Sequence, residues 1–292
     1  CGARLTVIAS VQSMQDNNVT SRLLTWARDW FDLLIFDEGH HYPSKSYQDI
    51  ASYFQWRNLL LVTATDERLA GLNLGRYVKS KAWEYPMLDA IKAGWLCPIE
   101  IKWIKLEANL DGIRTTKLGE YNSDDIAAII KPDLEPICRA ITDIIEDRKT
   151  IIYCPDVECS KIIARAMTKL GKQTVSLDGT SKHRESVIDA YKTGIFQCMS
   201  NCQLFDEGFN VPEVSCIVML SPTMSIGRYK QRLGRGTRKK KKIDKYQNLL
   251  LVDFTWSSRK HSLIKPAHIF VCEEIGVSRK WADTANAILE GP

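Results

Sequence analysis

Nowhere in these 292 residues does an apolar run approach the ~18 residues that a membrane-spanning helix needs. The longest run, Leu59 to Thr65, has the length of a strand. No short period repeats along the chain, which excludes solenoids and propellers. No two of the nine cysteines stand as C-x-x-C: Cys154 and Cys159 are five apart, Cys198 and Cys202 four apart, so no zinc ribbon is encoded. An odd number of cysteines on apolar segments fits reduced core thiols in a reducing compartment, and a cytoplasmic location is expected. An initiator Met is also missing. The chain opens on Cys1 and enters an apolar segment almost at once, so it reads as a fragment without its natural start, and the lack of a signal peptide carries no information.

Hydrophobic residues make up 45% and charged residues 26%, a mix that excludes a disordered or collagen-like chain. At about 150 residues per domain, the length suggests two domains. The net charge of +5 is unevenly spread. Residues 228–245 hold ten Lys or Arg and one acid, Asp244, a local +9 that leaves −4 for the rest. One basic surface therefore points to an anionic partner met at one place.

Leu5 to Ala9 has strand chemistry, and Leu23, Leu24 and Ala27 share a helical face. Leu33-Leu-Ile-Phe36 is apolar at every position, as in a parallel strand buried on both faces, and stops at Asp37-Glu-Gly-His40. Asn58 to Val62 repeats the pattern and stops at Thr63-Ala-Thr65. Strands that end in polar residues at their carboxyl ends lay out an open α/β sheet, whose ligands sit at that edge. Tyr77 to Leu106 reads as a bridge with a helix over 87–93, a stop at Gly94 and a strand from Ile99. Residues 111–131 are polar, the best place for a linker or insertion.

From Pro132 the pattern alternates: helix 133–147, strand 150–153, helix 157–170, strand 174–177, helix 181–192, strand 196–199, strand 215–220, helix 225–233 and strand 249–253, with Gly171 and Gly194 as helix stops. That alternation implies a parallel sheet. The expected fold class is α/β, with a partial first lobe over 1–107, a linker or insertion over 108–131, a second lobe over 132–262, and an extension over 263–292 that shows no motif. The tryptophans are expected in the cores, and Lys239 to Lys242 on a solvated loop.

Asp37 and Glu38 are adjacent acids at the end of an apolar strand, where desolvation is costly unless they meet a cation. Mg²⁺ carrying nucleotide phosphates suits them, because Mg²⁺ takes one or two carboxylates and keeps its waters. Asp37 would hold the metal through water, and Glu38 would orient or deprotonate an attacking water. The simpler alternative is that the two acids open a helix. A metal site from Asp37, His40 and His41 lacks the H-E-x-x-H spacing, and His41 reads as a structural or capping residue.

Six segments then fall in a familiar order. Val11-Gln-Ser13 is similar to the segment that touches nucleic-acid backbone. Asp37-Glu-Gly-His40 resembles the DExH box and Leu61-Val-Thr-Ala-Thr65 resembles motif III. Thr150 to Cys154 stands where motif IV belongs, Phe205-Asp-Glu-Gly-Phe-Asn-Val-Pro212 resembles motif V, and Gln231-Arg-Leu-Gly-Arg-Gly-Thr-Arg238 resembles motif VI. Over residues 5 to 254 the chain thus resembles the superfamily-two helicases and translocases. Leu88 to Leu96 looks like the connector of the branch with restriction-enzyme motors, repair helicases and phage helicases.

The resemblance implies two RecA-like lobes, the first incomplete, with ATP and Mg²⁺ as cofactors and hydrolysis in the cleft between lobes. It implies catalytic roles for Asp37, Glu38, His40, Gln231, Arg235 and Arg238, and coupling through Thr63 and Thr65. It implies nucleotide contacts at Gly208 and Asn210, and nucleic-acid contacts at Gln12, Ser13, Cys154 and Pro155. DNA is the expected partner with RNA kept open, no membrane is involved, nuclease or recombination subunits are candidate partners, and the host is expected to be prokaryotic or a phage. Arg235 and Arg238, three apart, share a face if the helix reaches them, and guanidinium groups can neutralise charge spreading over the γ-phosphate. Two positions depart from the family pattern: Asn210 stands where Asp is usual, and Asp66 follows motif III where Pro is usual. The family's P-loop is missing. The only Gly-Lys, Gly171-Lys172, is followed by Gln173, with Ala166 where the first glycine belongs. The expectation is that the P-loop lies upstream, that this chain alone turns over ATP poorly, and that its first sheet exposes an apolar edge. A non-catalytic nucleic-acid clamp and the motor subunit of a restriction complex are the alternatives.

Overall fold

The computed structural model describes residues 6–14, 22–64, 74–116, 119–179, 181, 183–202, 214–257 and 266. It divides into two compact units, Cys1–Ala82 and Trp83–Pro292.

In the first unit, α1 (Val11–Met14) and a 3-10 turn (Arg22–Thr25) precede β1 (Leu33–Phe36). A 3-10 turn (Gly39–His41), α2 (Lys45–Tyr53) and β2 (Asn58–Leu61) follow. β1 and β2 pair in parallel, with Leu33 opposite Asn58 and Phe36 opposite Leu61. Side chains alternate between the two faces of a strand. Leu34, Phe36, Leu59 and Leu61 therefore pack together against Tyr47, Ile50, Ala51 and Phe54 of the α2 region. The other face carries Leu33, Ile35, Leu60 and Val62, each at least 41% exposed. This corrects the expectation of a strand buried on both faces: among the described residues only α2 covers the sheet, so an apolar face is exposed as well as an edge. The strand expected at 5–9 is also absent. Residues 6–10 are irregular, Leu5 lies outside the described residues, and the first regular element is α1. The helix expected around Leu23 is a single 3-10 turn.

The second unit runs α3 (Met87–Lys92), β3 (Ile99–Asn109), α4 (Ser123–Ile130), α5 (Leu134–Ile145), β4 (Thr150–Tyr153), α6 (Val157–Lys169), β5 (Thr174–Leu177), α7 (Arg184–Lys192), β6 (Cys198–Asn201), β7 (Cys216–Met219), α8 (Ile226–Gly234) and β8 (Leu249–Ser257). The strands form one sheet in the order β3-β8-β7-β4-β6-β5, and every pairing is parallel. β4, β6 and β7 are buried at all positions. Alternate strand residues feed two cores. Ile152, Val218 and Val252 meet α4, α5 and α6, while Ile151, Met199, Ile217 and Leu251 meet Tyr191 of α7 and Leu233 of α8. α5 buries Leu134, Ile137, Cys138, Ile141 and Ile145, the stripe that a 3.6-residue period dictates. Asp156 caps α6 by accepting from Cys159 N–H at 2.6 Å. Gly171 and Gly194 take positive φ just past α6 and α7, which only glycine does without strain.

The sequence-based boundaries shift here. β3 pairs with β8 along Ile99 to Lys105, because its backbone groups need a ladder partner and β8 supplies one. The stretch expected as a linker, 108–131, contributes Leu110, Ile113, Tyr121, Ile126, Ala127 and Ile130 to the second core. Its helix α4 starts where the Asn122 side chain accepts from the N–H groups of Asp124 and Asp125. Trp30, Trp83 and Trp95 are more than half exposed, against the expectation that tryptophans fill the cores. The seven cysteines among the described residues are all free, and six of them are buried. Residues 263–292 lie outside the described residues apart from Pro266.

Truncating the fully buried Ile152 to Ala is expected to cost about 2–5 kcal/mol in urea unfolding followed by circular dichroism. Ile35→Ala, on the exposed face, is expected to cost less than about 1 kcal/mol.

Candidate active site

In the first unit the chemistry gathers where β1 ends. Asp37 is exposed, and its Oδ1 accepts from Glu38 N–H at 2.9 Å. Glu38 sits at φ 51°, ψ 45°, a left-handed conformation that costs a non-glycine residue about 1–3 kcal/mol and turns the chain sharply. Gly39 then lies flat against β2. Its N–H donates to Val62 O at 2.8 Å, and a Cβ there would stand 2.7 Å from the Leu61 Cβ, so only glycine fits. This contact brings the two strand ends together. His40 Nδ1 lies 3.0 Å from Thr63 Oγ1 and 3.4 Å from Glu38 Oε2. His41 stacks on His40 at 4.1 Å and faces Tyr47. The structure thus groups Asp37, Glu38, His40 and Thr63. Thr65 lies outside the described residues. Gln12 is exposed on α1, and Ser13 bonds back to Ser10 through both its N–H and its hydroxyl.

In the second unit, α8 packs along one face of the sheet, entering near the carboxyl ends of the strands and ending near their amino ends, where Gly236 meets Leu249. Its inner side is polar yet buried. Tyr229 donates its hydroxyl to Asp253 Oδ2 at 2.8 Å, and burial together with that carboxylate raises the phenol well above its ordinary pKa. Arg232, three residues on, donates to Ser221 O at 3.1 Å, with its guanidinium over the Tyr153 ring. Neither anchor has a role in the sequence reading: Tyr229 stands outside motif VI, and Arg232, inside it, is given none; the i, i+3 spacing of two long polar side chains is the only signal. Gln231 and Arg235 are half-buried on the remainder of the helix, and Arg238 follows its end. Burial, and then the like charge of Arg235, lowers the affinity of Arg238 for its proton. Two guanidinium groups close enough to repel one another favour an anion.

The segment after α8 is bolted down. Leu96 and Arg238 form an antiparallel bridge, Cys97 N–H donates to Thr237 O at 2.8 Å, and Leu249 N–H donates to Pro98 O at 2.8 Å. A Cβ on Gly236 would collide with Leu249 and Ile217. Lys240, expected on a solvated loop, is 9% exposed and donates to Gly236 O at 2.8 Å and to Val214 O. Its pKa is lowered, first by burial. The run of lysines is therefore solvated only in part, since these carbonyls need a donor.

Cys154 and Pro155, expected at a nucleic-acid contact, stand in the turn between β4 and α6. Both are buried, because Asp156 draws the turn into the α6 cap and Cys202 Sγ donates to Pro155 O at 3.2 Å. Gly208 and Asn210, with the rest of Phe205 to Pro212, lie outside the described residues, as does Asp66. Among the described residues no three His, Cys, Asp or Glu side chains group into a metal-ligand set, so a cation at Asp37 would need oxygens from water or phosphate.

Two family models match in the order of the motifs: the type III restriction enzyme res subunit over residues 3–68 and the helicase conserved C-terminal domain over 134–240. The chain carries these two domains in that order. It is 29% identical over 267 residues to irc3 of Schizosaccharomyces pombe, whose name assigns it as a mitochondrial ATP-dependent helicase; the match covers 88% of this chain and 43% of irc3. It is 24% identical to the type I restriction enzyme EcoAI endonuclease subunit of Escherichia coli, covering 73% and 30% of the two. It is 25% identical to the DNA 3'-5' translocase XPB2 of Sulfurisphaera tokodaii, covering 73% and 57%. The fold matches a fragment assigned as the HsdR subunit of a type I restriction enzyme from Vibrio vulnificus, with a TM-score of 0.66, 20% identity, and coverage of 82% of this chain and 46% of that one. The chain therefore spans less than two thirds of each of these relatives. No helix among its described residues is long and apolar enough to cross a membrane.

Lys240→Ala removes the ammonium donor to buried Val214 O and leaves Gly236 O with the Cys97 thiol alone, and is expected to cost about 1–3 kcal/mol in thermal unfolding, whereas Lys241→Ala, on the exposed neighbour, is expected to stay within about 0.5 kcal/mol.

Proposed function

We propose that this chain is the motor core of a nucleic-acid-dependent ATPase that translocates on or unwinds DNA. The observation that carries the reading is the turn after β1, where Glu38, His40 and Thr63 converge beside the exposed Asp37. A purely structural turn has no need of a strained glutamate beside a histidine. The Arg235 and Arg238 pair supplies the matching charge for an anion. The residues fit a magnesium nucleotide: Asp37 has the exposed carboxylate for the hydrated metal, and the arginines suit phosphate oxygens. Bound Mg²⁺ would supply neutralisation of phosphate charge.

In this reading Glu38 orients the attacking water and accepts its proton. His40, linked to Thr63, holds the Glu38 carboxylate in place and couples β1 to motif III. Gln231 supports Arg235 and Arg238 as they stabilise charge on the terminal phosphate. Gln12 and Ser13 contact the nucleic-acid backbone, and Gly208 and Asn210 the nucleotide. The basic stretch 228–245 adds phosphate attraction, so binding weakens with salt. Restriction or recombination subunits fit as partners, and ATP as the fuel.

The 292 residues contain no P-loop and the relatives extend well beyond the matched region, so the assay uses the longest natural form of the protein beside this chain. ATP hydrolysis is measured with and without single- and double-stranded DNA and RNA. Glu38→Gln is expected to abolish turnover while keeping ATP-dependent binding, and Arg235→Ala to lower kcat by about 10³-fold. Unchanged hydrolysis in Glu38→Gln would sink the role of Glu38. Binding without turnover in the natural protein would leave a non-catalytic clamp.

A further inference from the structure

Glu120 belongs to none of the helicase motifs, and it lies in the stretch expected as a linker. In the fold it is 7% exposed, at the base of a tight hairpin. Thr115 and Tyr121 form an antiparallel bridge, Thr116 N–H donates to Glu120 O at 2.6 Å, and Asn122 N–H donates to Arg114 O at 2.9 Å. Two features root this hairpin. Ile113 and Tyr121 are buried in the core, and the Arg114 guanidinium grips Asp125 of α4 with two parallel bonds of 2.9 and 2.6 Å.

The Glu120 carboxylate faces the start of α8. Its Oε1 accepts from Thr223 Oγ1 at 2.8 Å, and its Oε2 accepts from Met224 N–H at 3.1 Å. The Arg228 guanidinium stands 3.6 Å away. Thr223 Oγ1 in turn accepts from Ser225 N–H at 3.1 Å, and Ser225 Oγ accepts from Arg228 N–H at 3.2 Å, capping the helix. A buried negative charge thus organises the entry into α8, at the positive end of its dipole. Tyr229 and Arg232 hold the middle of the helix. Arg235 lies at its far end.

A buried ionised carboxylate is a poor means of gaining stability, since a well-packed apolar group of similar size often does as well. What such a group provides is one fixed geometry. Because α8 is a short rigid rod, its entry sets the rotation and axial position of its last turn, and a misplacement of about 1 Å can cost on the order of 10²-fold in rate. We propose that Glu120 is a positioning residue for the α8 arginines, aligning Arg235 on the nucleotide from a hairpin about 100 residues upstream. The inference rests on the reading of Arg235 given above.

The test is a double-mutant cycle on nucleic-acid-stimulated ATP hydrolysis, with wild type, Glu120→Ala, Glu120→Gln, Thr223→Val, Arg235→Ala and the Glu120→Ala/Arg235→Ala pair. Glu120→Ala is expected to lose about tenfold in kcat with KM for ATP within about twofold, and to cost less than about twofold once Arg235 is gone. Glu120→Gln keeps the shape and is expected to recover part of kcat. Thr223→Val removes two hydrogen bonds, the one to Glu120 Oε1 and the one from Ser225 N–H, without burying a new charge, so it is expected to fold and to lose part of kcat. Equal slowing by Glu120→Ala with and without Arg235 overturns the proposal, as does wild-type kcat in both Glu120→Ala and Thr223→Val. A wild type that never turns over with any nucleic acid overturns the ATPase reading instead, and that outcome is separate from an active wild type indifferent to Glu120.

Discussion

The docking of α8 along one face of the six-stranded sheet is the constraint on which the second unit's chemistry depends. A basic helix cannot be held there by apolar contact alone, because its buried side carries Tyr229 and Arg232. Each must find a partner or pay for lost water. Tyr229 finds Asp253 on β8, and Arg232 finds Ser221 after β7 and the ring of Tyr153 on β4. Three strands are thereby tied to one helix. Chain segments distant in sequence complete the seat: Cys97 and Pro98 on one side, Glu120 on another, and Lys240 beneath.

The first unit works by a different device. Its strands are few and one apolar face is open, so burial supplies less of its order. The turn after β1 is held by sterics and short polar contacts instead. A glycine with no room for a side chain presses the turn onto β2, a glutamate accepts a left-handed backbone, and a histidine reaches the threonine that follows the neighbouring strand. The result is a small polar constellation whose members come from two strand ends.

Much of the fold was legible because its causes are local. Short, mostly apolar runs bounded by polar residues marked β1, β2 and β4 to within a residue, and glycines at positive φ marked the ends of α6 and α7. The role of 83–131 was not legible. β3 belongs with β8 because of a pairing across about 150 residues, and the polar surface of 111–122 hid a hairpin whose Ile113 and Tyr121 pack into the core. Lys240 looked solvated beside three other lysines, since a run of identical residues cannot say which one turns in. Cys154 and Pro155 stood where motif IV belongs, and only the fold shows that both are buried beside the Asp156 cap.

By itself the sequence determined the α/β class, the order of the motifs and the acidic and basic groups available for chemistry, because periodicity and residue type are properties of short windows. Only the tertiary structure decided which of those groups share a site and which positions hold them there. His40 beside Thr63, Arg232 buried while Arg235 stays half-buried, and Glu120 at the head of α8 are outcomes of chain segments meeting in space. The physical reason is that burial and hydrogen-bond satisfaction are settled by neighbours distant in sequence, and a pattern along the chain does not contain them.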